Sequence, residues 1–388
     1  MTICFKGNQC KYEIEAIMKL FLPIVTFDFL FEETVSEGDF CIISSENSGE
    51  KVKLDVIVSY NGAHIEKTDE ISADDDTEQG LCRLLYHSMH EITGVTPEWG
   101  MLTGIRPVKK VNALLDEGLD KDRIFHKLKE KYEVSDRKLE LAYQTAVTQK
   151  KYFDSLDRRS FSLYVSIPFC PSRCSYCSFV SHSIESPSAK KLLPEYVKKL
   201  CEEIGQTAEI ARELDLKLDT IYIGGGTPTS LSAEQLDDVM TALKKNFDIS
   251  KIREYTVEAG RSDTITAKKL EVIKKNGATR ISVNPQTMND DVLKAIGRRH
   301  TASDVVETLR IARELGFDNI NMDTIAGLPT DTYDGFCRTI DTLCGLDPES
   351  ITIHTLTVKR SSALFRQEDI NIDRRISDMV NYGQEALG

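Results

Sequence analysis

Three cysteines, Cys170, Cys174 and Cys177, stand in the run YVSIPFCPSRCSYCSF between Tyr164 and Phe179 with spacing C-x3-C-x2-C. Three thiolates on one short segment can each hold a different iron of a cubane cluster, which a fourth cysteine normally completes. No fourth cysteine follows nearby, and a structural zinc site usually takes four N or S donors. A cluster with one iron open to a small molecule fits the spacing better. Two other readings stay open at this point: three buried small side chains, or three zinc ligands joined by a distant His or Cys.

The elements that must position these thiols are legible around them. Tyr164 to Ile167 alternates and is β-branched, as a strand is, and Pro168 and Pro171 then break regular structure, which places the thiols on a loop leaving a strand end. From Ser162 onward, strands are expected at Leu163–Ile167, Thr220–Ile223, Glu254–Glu258, Arg280–Asn284, Asn319–Asp323 and Ser350–Thr355, with amphipathic helices between them. Ser232 with Gln235 three residues on forms a capping box, Asn276-Gly277 is a helix stop, and Thr301 to Gly316 carries a similar cap and stop. Repeated βα units imply a parallel sheet with right-handed crossovers. The expected fold class is α/β: a partial (βα)6 barrel, TIM-like, behind an α+β N-terminal domain, with its site at the C-terminal strand ends.

The unusual polar residues map to that face. Gly224-Gly225-Gly226-Thr227-Pro228 follows the second strand, where glycines admit close backbone approach and could offer amides to a carboxylate or ribose, although tight turns use them too. Glu258 closes the third strand and Asp323 the fifth. Gln286 follows the fourth strand, and Arg298 lies in Gly297-Arg298-Arg299-His300; taken singly, both read more readily as solvated surface than as site residues.

Residues 1–156 read as a separate N-terminal α+β extension of unknown role, 157–360 as the barrel, and 361–388 as the start of a C-terminal helical region. In the extension, Asp39–Ser44 and Lys51–Ser59 look like strands, Asn61-Gly62 like a hairpin turn into His64–Lys67, and Leu20–Phe31 like a core strand. Thr77–Thr93 reads as an amphipathic helix and Asp116–Tyr152 as two or three more, while the Gly/Pro-rich stretch from Thr96 to Pro107 reads as a packed connection. Forty-nine Lys and Arg against 62 Asp and Glu give a net charge of −13, which argues against a nucleic-acid or anionic-membrane surface. No segment approaches a membrane span. The N-terminus lacks a signal-peptide pattern, and the other seven cysteines show no paired framework, so a cytoplasmic setting is expected.

Together these residues resemble a radical S-adenosylmethionine (SAM) enzyme. More narrowly, YVSIPFC, YIGGGTPT, the Glu258 region, Asn284–Met288, Ile296–Arg298 and Asp323–Pro329 resemble the oxygen-independent coproporphyrinogen III oxidase family. Within it, the stretch Thr103 to Lys109 is similar to the HemZ branch. The resemblance implies that Cys170, Cys174 and Cys177 hold a [4Fe–4S] cluster whose open iron is chelated by SAM. It implies SAM contacts from Tyr164, Gly225, Gly226, Thr227, Glu258, Gln286, Arg298 and Asp323. It also implies a low-potential electron donor such as flavodoxin or ferredoxin. The reaction it implies is radical decarboxylation of two propionates of coproporphyrinogen III, giving protoporphyrinogen IX.

Two departures qualify that reaction. The established oxidases carry another cysteine two positions after the third ligand, where this chain has Phe179, as do relatives regarded as haem chaperones. The chain also ends at Gly388 inside a predicted helix, so the domain covering the barrel mouth in that family is expected to be missing. A haem-binding chaperone retaining the cluster, or a radical SAM enzyme acting on another tetrapyrrole, are the alternatives.

Overall fold

The computed structural model describes every residue except 8, 9, 24, 34, 105 and 368–374. Ile105, within the Thr103–Lys109 stretch, thus lies outside the described residues. The chain forms two compact units, Met1–Leu156 and Asp157–Gly388.

The first unit opens with β1 (Thr2–Lys6), α1 (Lys11–Phe21), β2 (Asp28–Phe31), β3 (Phe40–Asn47), β4 (Lys51–Tyr60) and β5 (Ala63–Ser72). Its sheet runs β2-β1-β3-β4-β5, parallel around β1 and antiparallel from β3 onward. Asn61 and Gly62 both take positive φ, 50° and 80°, as a two-residue type I′ hairpin requires. Helix α2 (Thr77–Thr93) is capped by Asp76, whose side chain accepts from the Gln79 amide. Helices α1 and α2 bury Ile14, Met18, Leu81 and Leu85 with Ile3, Phe5 and Leu54 of the strands. Helices α3 (Val108–Asp116), α4 (Lys121–Tyr132) and α5 (Asp136–Phe153) enclose a second core around Val111, Ile124 and Leu139. The loop before α3 is a packed connection: Met101 joins the first core and Leu102 the second, and Gly100 (φ 54°) sits where a Cβ would meet the Tyr132 carbonyl oxygen at 2.0 Å. Two expectations need correction. Leu20 and Phe21 end a helix and only Asp28–Phe31 is strand, on a sheet edge; the following helical run begins at Val108, upstream of Asp116.

The second unit is a half-barrel. In order it holds β6 (Ser160–Ile167), the two-residue strands β7 (Phe169–Cys170) and β8 (His182–Ser183), α6 (Pro187–Glu213), β9 (Lys217–Gly225), α7 (Ala233–Asn246), β10 (Glu254–Gly260), α8 (Ala267–Lys275) and β11 (Arg280–Val283). Then come α9 (Asp290–Ala295), α10 (Ala302–Glu314), β12 (Ile320–Ala326), α11 (Tyr333–Gly345), β13 (Ser350–Thr355) and α12 (Ile376–Leu387). Six strands lie in the order β6-β9-β10-β11-β12-β13, every pair parallel. Sequence neighbours are therefore sheet neighbours, the pattern right-handed βα crossovers generate. The capping boxes at Ser232 and Thr301 both form. Between sheet and helices lies a core of Ile221, Tyr255, Val257, Ile281 and Met322 with Leu236, Leu270 and Leu309. Among the described residues no helix is long and apolar enough to cross a membrane.

Candidate functional site

At the C-terminal ends of the six strands the loops enclose a cavity of about 360 Å³, within the usual size of a small-molecule site. All three clustered cysteines line it. So do Gly225, Gly226, Thr227, Glu258, Gln286, Arg298 and Asp323. Tyr164 does not: its ring, 59% exposed, stacks with centroids 5.9 Å apart on Tyr222, which in turn donates to the wall residue Glu258.

The cysteine loop is held by backbone bonds at both ends. Strands β7 and β8 pair in parallel, and the His182 and Ile184 amides donate to the Pro168 and Cys170 carbonyls at 2.9 Å each. The Ser175 amide donates to the Ile296 carbonyl, and the Leu364 amide to the Ser175 carbonyl. Cys174 is buried, and burial pushes the Cys177 thiol up. Gly226 packs so tightly on this loop that a Cβ would lie 2.8 Å from Cys170 Sγ and 2.7 Å from the Phe169 oxygen. Thr227 Oγ1 reaches Cys170 Sγ at 3.6 Å.

The glycine turn works differently from the expectation that its amides face a ligand. The Gly226 and Thr227 amides donate to the Ile167 and Phe169 carbonyls, and the Gly225 amide bonds to Glu258. These donors are engaged inside the chain, because the turn's first task is to fasten the cysteine loop to the sheet. What the glycines leave to a ligand is space.

The opposite wall carries the carboxylates. Glu258 accepts a 2.5 Å hydrogen bond from Tyr222. Burial raises its pKa, as does facing Asp323, while the Tyr222 and Gly225 donors oppose the rise. Asp323 accepts from Asn321 Nδ2 at 2.7 Å. Gln286 is buried with φ 70°, in the left-handed region. Its amide donates to the Asp323 carbonyl and its carbonyl accepts from the Ile325 amide, so its unusual backbone is imposed by bridging the end of β11 to β12. Strained backbone of this kind concentrates at functional sites. Arg298 donates to the Asn284 carbonyl at 2.6 Å and to Tyr176 at 3.3 Å, while its Nε is buried without a hydrogen-bond partner among the described residues.

Several wall residues escaped the sequence reading. Arg261, Tyr176 and His354 all line the cavity. Strand β10 runs past Glu258 through a register shift to Gly260 (φ 75°), and this bulge turns Arg261 inward. A glycine and an arginine beyond the expected strand end were the available signal, indistinguishable in sequence from an exposed loop.

The donor set fits a multi-iron cluster with a bound organic ligand. Among the described residues, no three His, Cys, Asp or Glu side chains surround a single point as a lone ion needs. A cubane distributes its thiolates over separate irons, so its ligands need not converge. Beside the thiols, the cavity is lined by the Arg298 guanidinium and by two carboxylates, Glu258 and Asp323, which suit a ligand carrying a carboxylate, an amine and hydroxyls.

Residues 164–343 match the family model of the radical SAM superfamily. Over 279 residues the chain is 40% identical to the oxygen-independent coproporphyrinogen-III oxidase-like protein HemZ of Bacillus subtilis, covering 71% of this chain and 55% of that protein. Over 208 residues it is 39% identical to the haem chaperone HemW of the same organism, covering 53% of this chain and 52% of that one. The chain thus spans about half the length of the curated relatives it matches. Among solved structures it is similar to coproporphyrinogen III oxidase (HemN) from Escherichia coli, a radical SAM enzyme, with TM-score 0.52 and 26% identity, covering 63% of this chain and 54% of that one.

Proposed function

On the premise that the chain carries a radical SAM domain over residues 164–343, we propose that it binds a [4Fe–4S] cluster and SAM in the cavity and acts on a tetrapyrrole. The proposed reaction is oxygen-independent decarboxylation of coproporphyrinogen III. One observation carries the reading: the three cysteines and seven residues expected to contact SAM, although spread from Cys170 to Asp323, line a single cavity.

The roles follow from the wall. Cys170, Cys174 and Cys177 would hold three irons. Arg298, which lines the cavity, would pair with the SAM carboxylate. Glu258 and Asp323 would accept from amino and ribose hydroxyl groups, and Gln286 is locked in place by its backbone bridge to β12. When bound, the cluster and SAM supply reductive cleavage and a carbon radical able to abstract hydrogen. The chain's contribution is to orient SAM, fix its charged ends and exclude bulk water. A low-potential carrier such as flavodoxin or ferredoxin would deliver the electron, and the setting would be cytoplasmic.

A second reading, a haem chaperone that keeps the cluster, is favoured by Phe179, which sits 67% exposed on the cavity rim where the resemblance calls for a further cysteine in the oxidases. Anaerobic reconstitution of the full-length gene product, followed by assay of 5′-deoxyadenosine with and without coproporphyrinogen III, separates the two. Substrate-dependent 5′-deoxyadenosine with a matching vinyl product supports the decarboxylase. Slow, substrate-indifferent cleavage together with stoichiometric haem binding supports the chaperone.

A further inference from the structure

Arg261 has a place in this site that neither the cysteine motif nor the SAM-type contacts assign. It follows the β10 bulge and is 3% exposed. Its fork is fixed from one side: Nε and Nη2 donate to the two oxygens of Asp263 at 3.0 and 2.7 Å. Such bidentate pairing removes most of the side chain's rotational freedom. Asp263 is itself faced by buried His300, whose Nδ1 stands 3.8 Å from Asp263 Oδ1. The remaining nitrogen, Nη1, points into the cysteine loop. It donates to the Ser172 carbonyl at 3.1 Å and to Ser172 Oγ at 2.9 Å, and lies 3.9 Å from Cys174 Sγ.

Asp263 already balances the guanidinium charge, so what Arg261 presents to the cysteine loop is the polarised Nη1 donor beside the Cys174 sulfur. Donors and positive charge near a ligating sulfur stabilise the more negative, reduced form of a cluster and raise its potential. Ser172 adds a mechanical link, since its hydroxyl also donates to the Gly297 carbonyl at 3.1 Å, tying the loop to the segment that carries Arg298.

We propose that Arg261, clamped by Asp263, is a positioning residue that fixes the Ser172–Cys174 segment and raises the reduction potential of the bound cluster. The inference rests on the cluster assignment above and goes beyond it by naming what tunes that cluster.

The test compares reconstituted parent, Arg261→Lys, Arg261→Gln and Asp263→Asn proteins, reading iron content, melting temperature and cluster midpoint potential by EPR-monitored redox titration. Arg261→Gln, which removes the charge, is expected to shift the potential furthest negative. Arg261→Lys, which keeps the charge but loses the fork, is expected to give a smaller shift in the same direction, whereas Asp263→Asn, which removes the neutralising carboxylate and leaves the guanidinium charge, is expected to shift it positive. Loss of iron from Arg261→Gln with an unchanged melting temperature also supports the proposal. Parent-like potential in Arg261→Gln and Arg261→Lys overturns it. So does joint loss of iron and melting temperature in both, which marks a merely structural side chain. Failure of the parent to assemble a cluster instead overturns the underlying functional reading.

Discussion

Glu258 shows how a side chain suited to a ligand weakens the protein that holds it. Burial raises its pKa above the ordinary carboxyl value, Asp323 adds to the rise, and Tyr222 and Gly225 offset part of it. A raised folded pKa means that the carboxyl's favourable contribution is complete below the unfolded pKa of about 4.3 and is lost as pH rises through the folded value. Near neutrality the ionised group subtracts from stability. Glu258→Gln is therefore expected to melt higher than the parent at pH 7, with the gap closing below about pH 4, in scanning calorimetry of the cluster-free chain. The same variant should bind SAM about tenfold more weakly after reconstitution, the usual scale for losing one charge-assisted hydrogen bond. Gly226 makes the opposite case, where absence of a side chain is the requirement. Gly226→Ala places a methyl group against Cys170 Sγ and two backbone oxygens, and overpacking of this kind costs about 1–3 kcal/mol. It should lose most of its iron on reconstitution; an iron content equal to the parent's would show that the loop can yield. The cysteines and strand-end carboxylates were legible in the sequence because their types are rare at such positions. Arg261 was not, because only the β10 bulge gives it an inward direction.

Elements with their own local signals were read correctly, and those stabilised only by packing were not. The six barrel strands alternate with helices whose ends carry capping boxes and glycine stops, so pattern and cap agree. Helix α1 begins at Lys11 and α3 at Val108, and neither has a side-chain cap at the preceding residue. Strands β1 and β2 have only five and four residues, and they exist because parallel pairing and α1 bury Ile3 and Phe5. Such tertiary causes leave no short-range trace. The capping box on α7 gives an element-scale test. Ser232→Ala removes the acceptor of the Gln235 amide, and should lower unfolding free energy by about 1 kcal/mol while leaving iron content and SAM binding at parental values. Altered SAM binding would mean that α7 communicates with the cavity more directly than its caps suggest.

Each unit of the molecule carries its own apolar core, and in the barrel unit Cys174 is buried yet belongs to none of the hydrophobic clusters. No disulfide joins any of the ten cysteines, all of which are described residues. Stripping iron with a chelator under reducing conditions should accordingly abolish SAM binding while leaving the far-UV circular dichroism unchanged, because sheet and helices are held by contacts the metal does not enter; a large loss of ellipticity would make the cluster a folding cofactor. The strand order adds a consequence in time. Since β6, β9, β10, β11, β12 and β13 lie side by side in the order of the chain, each new strand emerging from the ribosome finds its docking edge already made. Cys170, Cys174 and Cys177 are translated first and the glycine turn that braces them next, whereas Asp323 and His354 arrive last. The order of synthesis is thus an order of assembly, in which the metal-binding wall is built and braced before the far wall closes the chamber.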